Sequence, residues 1–588
     1  RLCEELGSKR WIKIANMGDQ GALNLFLEDL SNDEVFVRVN TIHRIKLVCT
    51  LLGPDQIRSQ LLPKLKEIVS SFQTQDDEVL FALSEELGNM QPYLAEASTL
   101  LIAPLETLAT LEETVVRDQA VKSLIKIGER MADSEIITHF APMVLRLAAT
   151  DPFTSRVSAC GLFSCAYPRA GTHKDKLRQK FLELCHEDTP MVRRSTALNA
   201  GKLSEVMEKE TLLSEFMPVF RQLSQDDQDP VRVLCLDSLV KIARILSKED
   251  NRVHTVPVCL AAGEDKSWKV RIHFAKIFPQ LAEAYGRDIT ESSLIQTFTQ
   301  LLKDIEPEVK SAALTSLGQV LRILSQDKII NLIYPAVEAL VRDITSSATV
   351  LKAAADVIGE LADAVGRDFT ISKLLPLETE LLKDDNHEVK LHVIKRLNSI
   401  SSIVGPEVLS PTLLASITTL ARDSPNWRVR EGVYQLIAEF GQQFGPELFV
   451  RQLQEIYFGF FFDSVASVRE SGVETLKGLS TALHADWVNA HLLPKLREVF
   501  SREHGYLGRI TVVKALSQSP IHNDNLLQFL TAASKDTVPN VRFVLCKQLP
   551  HLLDRIEKSS LRAILQELST DADKDVRYYA KEALASCS

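Results

Sequence analysis

One short pattern recurs along almost the whole chain and limits the possible folds more than any other feature. An acidic residue is followed, after about four variable residues, by an aliphatic residue and then Arg or Lys. The strong copies end at Val37-Arg38, Val192-Arg193, Val231-Arg232, Val270-Arg271, Val309-Lys310, Val389-Lys390, Val429-Arg430, Val468-Arg469, Val541-Arg542 and Val576-Arg577. With weaker copies such as Val116-Arg117 counted, the pattern repeats about every 39 residues. Fifteen units then fill the 588 residues, and a repeat array replaces the roughly four domains that length alone suggests.

Each unit is predicted to be a pair of antiparallel helices. In the fourth unit, residues 139–149 carry apolar side chains at helical spacing, a turn follows at 150–152, and a second helix begins near Ser155. The chain holds only 23 Gly and 23 Pro residues, as expected of helices joined by short turns. The sequence therefore predicts an all-α fold, an α-solenoid of fifteen HEAT repeats.

The two charged positions of the pattern are expected to have different roles. The acidic residue is predicted to be the N-cap of the second helix, where its carboxylate accepts hydrogen bonds from free backbone N–H groups. The basic residue is predicted to reach sideways to the acidic residue of a neighbouring repeat. Repeated along the array, these contacts form a ladder of ion pairs, each expected to be exposed and worth about 0–1 kcal/mol.

Composition excludes several classes of protein. A formal net charge of −10 argues against nucleic acid as a partner. Nine scattered cysteines without a Cys-x-x-Cys pair indicate reduced thiols in an intracellular compartment. No apolar run approaches the length of a membrane span, so no membrane insertion is expected. Residues 1–20 form an N-terminal segment of unclear role, and their start is interpreted as a processed end or a fragment boundary, not a signal peptide.

Catalytic motifs are absent from the sequence. It contains no phosphate-binding glycine loop, no dinucleotide fingerprint, no His-Glu-x-x-His and no Gly-x-Ser-x-Gly. His387 and His392 are five residues apart and would diverge on a helix, so they do not form a metal pair. We therefore expect no catalytic residue, no metal site and no cofactor, and the chain is not predicted to be an enzyme.

Large side chains stand in four turns where small polar residues would suffice. Phe153, Trp268 and Trp427 precede the basic residue of their repeats, and Tyr506 lies in Gly505-Tyr506-Leu507-Gly508-Arg509. One interpretation is that each packs on the adjacent turn. The other is that they anchor a partner protein, because aromatic residues beside Arg are typical of interface hot spots.

Several longer segments resemble a known family. They are Leu111-Glu112-Glu113-Thr114-Val115-Val116-Arg117-Asp118, Phe153-Thr154-Ser155-Arg156-Val157-Ser158-Ala159-Cys160-Gly161-Leu162-Phe163-Ser164, Asp188-Thr189-Pro190-Met191-Val192-Arg193-Arg194, Glu264-Asp265-Lys266-Ser267-Trp268-Lys269-Val270-Arg271, Trp427-Arg428-Val429-Arg430, Asn540-Val541-Arg542-Phe543 and Lys581-Glu582-Ala583-Leu584. In these runs the sequence, from about residue 21 onward, resembles the scaffold (A) subunit family of protein phosphatase 2A.

The resemblance implies a non-enzymatic assembly platform. It implies that repeats 11–15, residues 406–588, bind a phosphatase catalytic subunit, and that the first eight of the repeats in 21–405 bind an interchangeable regulatory B-type subunit. The product is a hetero-oligomer with a dimeric core and a trimeric holoenzyme. The implied catalytic-subunit surface contains Trp427, Arg428, Tyr506, Leu507, Val538, Asn540 and Tyr579. The implied regulatory-subunit surface contains Glu112, Glu113, Phe153, Pro190, Met191, Arg194, Asp229 and Trp268.

Three positions depart from the family pattern. Pro152 replaces one of two adjacent aromatic residues, Asn426 replaces a lysine, and Ala466 replaces an aromatic residue.

The alternative function is a nuclear transport receptor, another kind of acidic HEAT solenoid, which would bind cargo and a small GTPase. An enzyme with an unrecognised site is a third class, disfavoured because no catalytic motif occurs. The expected location is the cytoplasm, with the nucleus as a second compartment.

Overall fold

The computed structural model describes residues 18–71, 76–501, 505–521, 523–553 and 555–586. Within these ranges all regular elements are helices and no strand occurs, which confirms the all-α prediction. Most of the N-terminal segment, residues 1–17 with Trp11, lies outside the described residues. The number fifteen stays a prediction from the sequence spacing.

The chain divides into two compact units, Arg1–Phe298 and Thr299–Ser588. In the first unit, the main first helices of the pairs are Gly18–Leu30, Leu62–Ser70, Ile102–Leu108, Ala141–Ala149, Lys174–Leu184, Met217–Leu223, and Lys248–His254 with Val256–Gly263. The second helices are Val35–Ile42 with Ile45–Leu51, Asp77–Asn89, Thr114–Gly128, Phe153–Ala166, Pro190–Ser204, Asp229–Ile245 and Trp268–Ile289.

The second unit repeats this arrangement. Its main first helices are Tyr334–Arg342, Leu375–Leu381, Pro411–Asp423, Gln454–Tyr457, Leu493–Phe500, Asn523–Ser534 and Lys558–Leu568. Its second helices are Pro307–Leu321, Ala348–Val365, His387–Val404, Trp427–Phe444, Ala466–Ala482, Gly505–Gln518, Pro539–Gln548 and Lys574–Ser586. The helix Ile295–Leu301 begins in one unit and ends in the other. The predicted division at 405/406 concerns partner binding and stays a prediction.

Many first helices contain a wider, π-helical turn; the turns Thr290–Leu294 and Phe449–Leu453 form without a following proline, whereas the others have a reason that lies in the sequence. The turns Ile57–Leu61, Ile136–Phe140, Leu212–Phe216, Ile329–Ile333, Thr370–Leu374 and Val488–Leu492 each precede an X-Pro pair. Proline has no backbone N–H, and its ring displaces the carbonyl one turn earlier, so the regular hydrogen bond cannot form there. In the fourth pair the Ala141 N–H instead reaches the carbonyl of Ile136, five residues back.

Aromatic side chains tie successive helix pairs together inside each unit. In the first unit Phe163, Phe181 and Phe216 follow one another with ring centres 5.3 and 6.2 Å apart, and all three are buried. In the second unit Trp487 is buried beside Phe449, and its indole N–H donates to Gln454 Oε1 at 3.0 Å. Their large apolar area supplies much of the favourable energy of stacking one pair on the next.

The predicted charge ladder is confirmed at five Arg–Asp pairs, where the contact is stronger than expected. The Arg232 guanidinium, in the first turn of one second helix, binds the Asp265 carboxylate of the next repeat through Nε and Nη2, at 2.7 and 2.8 Å. The same contact, called here the arginine staple, joins Arg193 to Asp226, Arg430 to Asp463, Arg509 to Asp536 and Arg542 to Asp571. The staples are not exposed: the side chains of Arg232 and Asp265 are only 5% and 11% accessible.

The prediction that the acidic residue is the helix N-cap is wrong for the staple aspartates, although Glu113 does cap its helix. Helix Trp268–Ile289 has Ser267 as its N-cap, and Asp265 lies two residues earlier. Its Oδ1 accepts the Ser267 N–H at 2.8 Å, so the Asp closes the turn before the helix. The same contact joins Asp463 to Val465 N and Asp536 to Val538 N. Each staple Asp thus shapes its own turn and holds the Arg of the preceding repeat.

Candidate protein-interaction ridge

The turn before each second helix and the first turn of that helix form a set of equivalent positions, called here the ridge. The staple arginine fixes this segment from within, because its Nη1 also donates to a carbonyl six residues back, as in Arg232 to Asp226 O at 2.7 Å. Hydrogen bonding to Asp265 raises the pKa of Arg232, so its charge is permanent. The backbone of this segment is therefore held in place by contacts within its own turn and by the aspartate of the next repeat. The neighbouring side chains project from this fixed backbone.

Large side chains on the ridge point to solvent in both units. Phe153, Met191 and Trp268 are 42–46% accessible in the first unit, and Tyr506 and Leu507 are 41 and 42% accessible in the second. The sequence placed the aromatic residues in the turns, whereas Phe153, Trp268 and Trp427 are the first residues of their helices. Phe153 and Trp268 remain exposed, and Trp427 stays partly accessible, because the first turn of a helix has no preceding turn to cover it.

The predicted regulatory-subunit residues occupy ridge positions of the first unit. Glu112, Glu113, Pro190 and Arg194 are exposed, and Asp229 is half-buried. The Glu113 carboxylate accepts the Val115 N–H at 3.4 Å and caps its helix. Ser267 Oγ donates to Asp229 Oδ2 at 2.9 Å, which joins the turn of Trp268 to the ridge of the previous repeat. Asp229 and Trp268 therefore belong to one connected surface.

The predicted catalytic-subunit residues occupy ridge positions of the second unit. Trp427 is half-buried, and the guanidinium of exposed Arg428 lies 4.3 Å from its ring centre, a cation–π contact. Asn540 is exposed and Val538 half-buried. Tyr579 is also half-buried, because its ring packs edge-on to Phe543 at 4.8 Å and Lys547 lies 4.4 Å from it. Trp427 and Tyr579 thus combine an internal contact with a free face.

The three departures from the family pattern keep the backbone intact. Asn426 is the N-cap of helix Trp427–Phe444, and its Oδ1 accepts the Arg428 N–H at 2.9 Å. Pro152 precedes helix Phe153–Ala166 at the N-cap position and is exposed. Ala466 is the exposed first residue of helix Ala466–Ala482. The change from lysine to Asn426 therefore removes a positive charge and supplies a helix N-cap.

Three exposed aromatic residues on or beside the ridge were missed by the sequence reasoning: Phe36, which is 53% accessible in the first turn of helix Val35–Ile42, Phe462 and Tyr578. Phe462 is 45% accessible immediately before the staple residue Asp463, and Lys495 lies 5.5 Å from its ring centre. Tyr578 is 63% accessible and sits against Tyr579. Phe462 had a signal, since it ends an aromatic run directly before the acidic residue of the repeat pattern. Tyr578 follows the Val-Arg pair, where the pattern sets no expectation.

The described thiols are unsuited to nucleophilic chemistry. Burial raises the pKa of Cys49, Cys185 and Cys259 to about 12, so these groups stay protonated and weakly reactive.

The staple region also contains a surface cavity of about 490 Å³, whose apolar wall includes Leu236 and Val258. No helix in the described ranges has the length and apolar character needed to cross a bilayer.

Comparison with known families and structures defines the class of protein. Residues 287–366 match a family described as PPP2R1A-like HEAT repeat. A solved structure from a study of Kap95p binding to RanGDP is similar over 99% of this chain and 85% of its own, with a TM-score of 0.52 and 12% sequence identity. At that identity the likeness shows the fold alone and does not favour the transport-receptor alternative. The chain is a HEAT-repeat α-solenoid.

Curated relatives are more specific. The chain is 37% identical over 386 residues to the beta isoform of the human serine/threonine-protein phosphatase 2A 65 kDa regulatory A-subunit, and the match covers 64% of this chain and 63% of the relative. It is 38% identical over 275 residues to the regulatory A-subunit of Schizosaccharomyces pombe phosphatase PP2A and 37% identical over 289 residues to the phosphatase 2A scaffold subunit of Dictyostelium discoideum, covering 46% and 49% of those proteins. The matches therefore span less than two thirds of these relatives. The chain is a homologue of the phosphatase 2A regulatory A-type, or scaffold, subunits, which confirms the resemblance found in its sequence.

Proposed function

We propose that this protein is a non-enzymatic scaffold that holds two partners in one complex: a serine/threonine phosphatase catalytic subunit, and an interchangeable regulatory subunit. The observation that carries the proposal is the pair of exposed ridge surfaces, one in each unit, at the positions that the family resemblance assigns to partners. The names of its homologues, regulatory or scaffold subunits of phosphatase 2A, support the same function.

The scaffold acts by raising effective concentration. Two proteins bound to one chain meet at the millimolar concentrations typical of linked binding modules, without any new contact between them. The arginine staples support this role, because they hold the ridge residues in a fixed conformation before a partner arrives and so reduce the entropy cost of binding. The scaffold stabilises no transition state itself.

Each patch is assigned one partner. The catalytic subunit binds the second-unit patch around Trp427, Arg428, Tyr506 and Leu507, and a B-type subunit binds the first-unit patch around Phe153, Met191 and Trp268. The assembly is a hetero-oligomer, with neither nucleic acid nor membrane insertion involved. The proposed location is the cytoplasm, with the nucleus second. The seven cysteines in the described part of the chain are unpaired, which supports a reducing compartment.

The catalytic-subunit assignment is tested with Trp427→Ala plus Arg428→Ala in the full chain. Hot-spot residues commonly contribute more than ~2 kcal/mol, so the dissociation constant for a purified phosphatase 2A-type catalytic subunit should rise by about 30-fold or more. Binding of a B-type subunit to the scaffold alone should be unaffected. Surface plasmon resonance with each partner separately measures both quantities.

A matched control separates the ridge from the rest of the surface. Val253→Ala removes an exposed apolar side chain, 61% accessible, from a first helix away from the ridge. It should leave both dissociation constants unchanged. If the double variant retains wild-type affinity for the catalytic subunit, the assignment of the second-unit patch is wrong.

A further inference from the structure

A histidine and two glutamates from neighbouring repeats converge outside the ridge. His43 directly follows helix Val35–Ile42, and Glu85 and Glu86 lie in the last part of helix Asp77–Asn89. One ligand atom from each of the three side chains lies within 4.8 Å of the other two. The closest approach is His43 Nδ1 to Glu86 Oε1, at 3.1 Å.

No Lys or Arg forms an ion pair with Glu86 within the described residues. Its side chain is only 10% accessible, and in the described part of the chain its ion-pair partner is His43, which is charged only when protonated. Its other oxygen accepts the Asn89 amide at 3.1 Å. The nearby Lys126 ammonium donates to Asn89 Oδ1, so its hydrogen bond goes to the amide and not to the Glu86 carboxylate. A buried carboxylate normally requires a full positive charge beside it, and a bound cation would supply one.

The donor set indicates which cation fits. One imidazole nitrogen and two carboxylates are zinc ligands, and Ca²⁺ or Mg²⁺ would prefer oxygen alone. Adjacent ligands of a tetrahedral ion with bonds near 2.0 Å lie about 3.3 Å apart, close to the separation of His43 and Glu86. The His43 side chain is 43% accessible, which leaves a path to solvent for entry and for a water as fourth ligand. The Asn89 amide orients the Glu86 carboxylate from behind, as outer contacts do in metal sites.

We propose that His43, Glu85 and Glu86 bind one divalent transition-metal ion, best matched by Zn²⁺. The ion would join the second helices of the first two repeats of the array. No sequence motif marks the site, because His43 is more than forty residues from the two glutamates and only the stacking of repeats brings them together.

The test is a titration of the chelator-treated full chain with Zn²⁺ alone, followed by isothermal calorimetry and thermal unfolding. We expect one equivalent to bind and the unfolding temperature to rise with added Zn²⁺. Glu85→Gln, at a half-buried position where no loss of fold is expected, should weaken binding at least tenfold. His43→Ala should abolish it, and both variants should lose the Zn²⁺-dependent rise in unfolding temperature.

The control is His273→Ala. His273 Nε2 contacts Asp237 Oδ1 at 2.8 Å, an ordinary histidine–carboxylate pair outside the proposed site. This variant should bind Zn²⁺ as the wild type does. Three results would overturn the proposal: no wild-type binding tighter than ~100 μM, undiminished binding in both Glu85→Gln and His43→Ala, or an equal loss in His273→Ala. Undiminished binding in the first two would place the ion elsewhere on the chain.

Discussion

Two stretches of the chain carry the same repeat pattern with a different basic residue. Between residues 188 and 271, Arg193 and Arg232 form bidentate staples to the next repeat. Between residues 304 and 423, lysines stand at the equivalent positions 310, 352 and 390. Lys352 makes one contact, Nζ to Glu388 Oε2 at 2.6 Å, on the surface. Lys310 and Lys390 form no ion pair within the described residues.

The acidic partners behave alike in both stretches. Asp343 Oδ1 accepts the Thr345 N–H at 2.9 Å, and Asp384 Oδ1 accepts the Asn386 N–H at 2.7 Å. The turn therefore forms with or without an arginine. The guanidinium adds the coupling between repeats. Its planar donors bind both carboxylate oxygens at once, whereas an ammonium group cannot match both oxygens in this way. In the lysine stretch, two neighbouring repeats are instead joined by an ion pair between the bodies of their helices: Arg396 Nε donates to Asp356 Oδ1 at 2.8 Å.

The largest expected effect comes from breaking one staple. Arg232→Ala leaves the Asp265 carboxylate buried without its counter-charge and should lower the free energy of unfolding by about 3–5 kcal/mol. Urea unfolding followed by circular dichroism measures the loss. The matched change in the lysine stretch, Lys310→Ala, should cost under about 0.5 kcal/mol. Equal losses in the two variants would show that the staple contributes nothing beyond its turn.

The lysine stretch also contains a buried acidic side chain, Glu378, whose effect on stability can be removed by mutation. Glu378 is fully inaccessible, neither carboxylate oxygen has a hydrogen-bond partner among the described residues, and burial raises its pKa well above the ordinary value. The folded protein therefore holds a proton that the unfolded chain releases above pH ~4.3, and stability falls as pH rises, by about 1.4 kcal/mol per unit. Glu378→Gln should remove this slope, so the stability gained over the wild type should be larger at pH 6 than at pH 4.5. Urea midpoints at pH 4.5 and pH 6 measure it, and parallel pH profiles for wild type and variant would contradict it.

The smallest expected effect comes from adding a staple where one is missing. Lys310 already acts electrostatically on Asp343, one repeat further on. Lys310→Arg should place two N–H donors on that carboxylate and raise the free energy of unfolding by about 1 kcal/mol. Lys303→Arg, an exposed position off the pattern, serves as the control and should change nothing. A gain of the same size in both variants would mean that arginine stabilises this stretch in a general way.

The repeat, the helix pairs and the sideways Arg–Asp contact could be predicted from the sequence, because all three follow from spacing. The burial of that contact could not, since the depth of Arg232 depends on how two whole repeats stack. Asp265 was assigned the wrong role because an Asp two residues before a helix closes the turn as readily as it caps. Trp268 and Trp427 were found from residue type alone, whereas Tyr578 was missed because nothing in the pattern marks a side chain after the Val-Arg pair.

His43 and Glu86 illustrate a different limit. Each is unremarkable in its own repeat, and the contact exists only because two repeats stack in register. Glu378 is similar, since its helix Leu375–Leu381 also contains Glu380, and from the sequence both acidic residues would ordinarily be assigned to the surface.

The direction of the staple gives the array a polarity during synthesis. Arg232 needs Asp265, which lies 33 residues further along the chain, and never the reverse. At translation rates of about 5–20 residues per second, a newly made repeat waits about 2–7 s before its guanidinium finds a partner. Each repeat in the stapled stretches is therefore completed by its successor, and a nascent chain always carries one unfinished edge at its growing end.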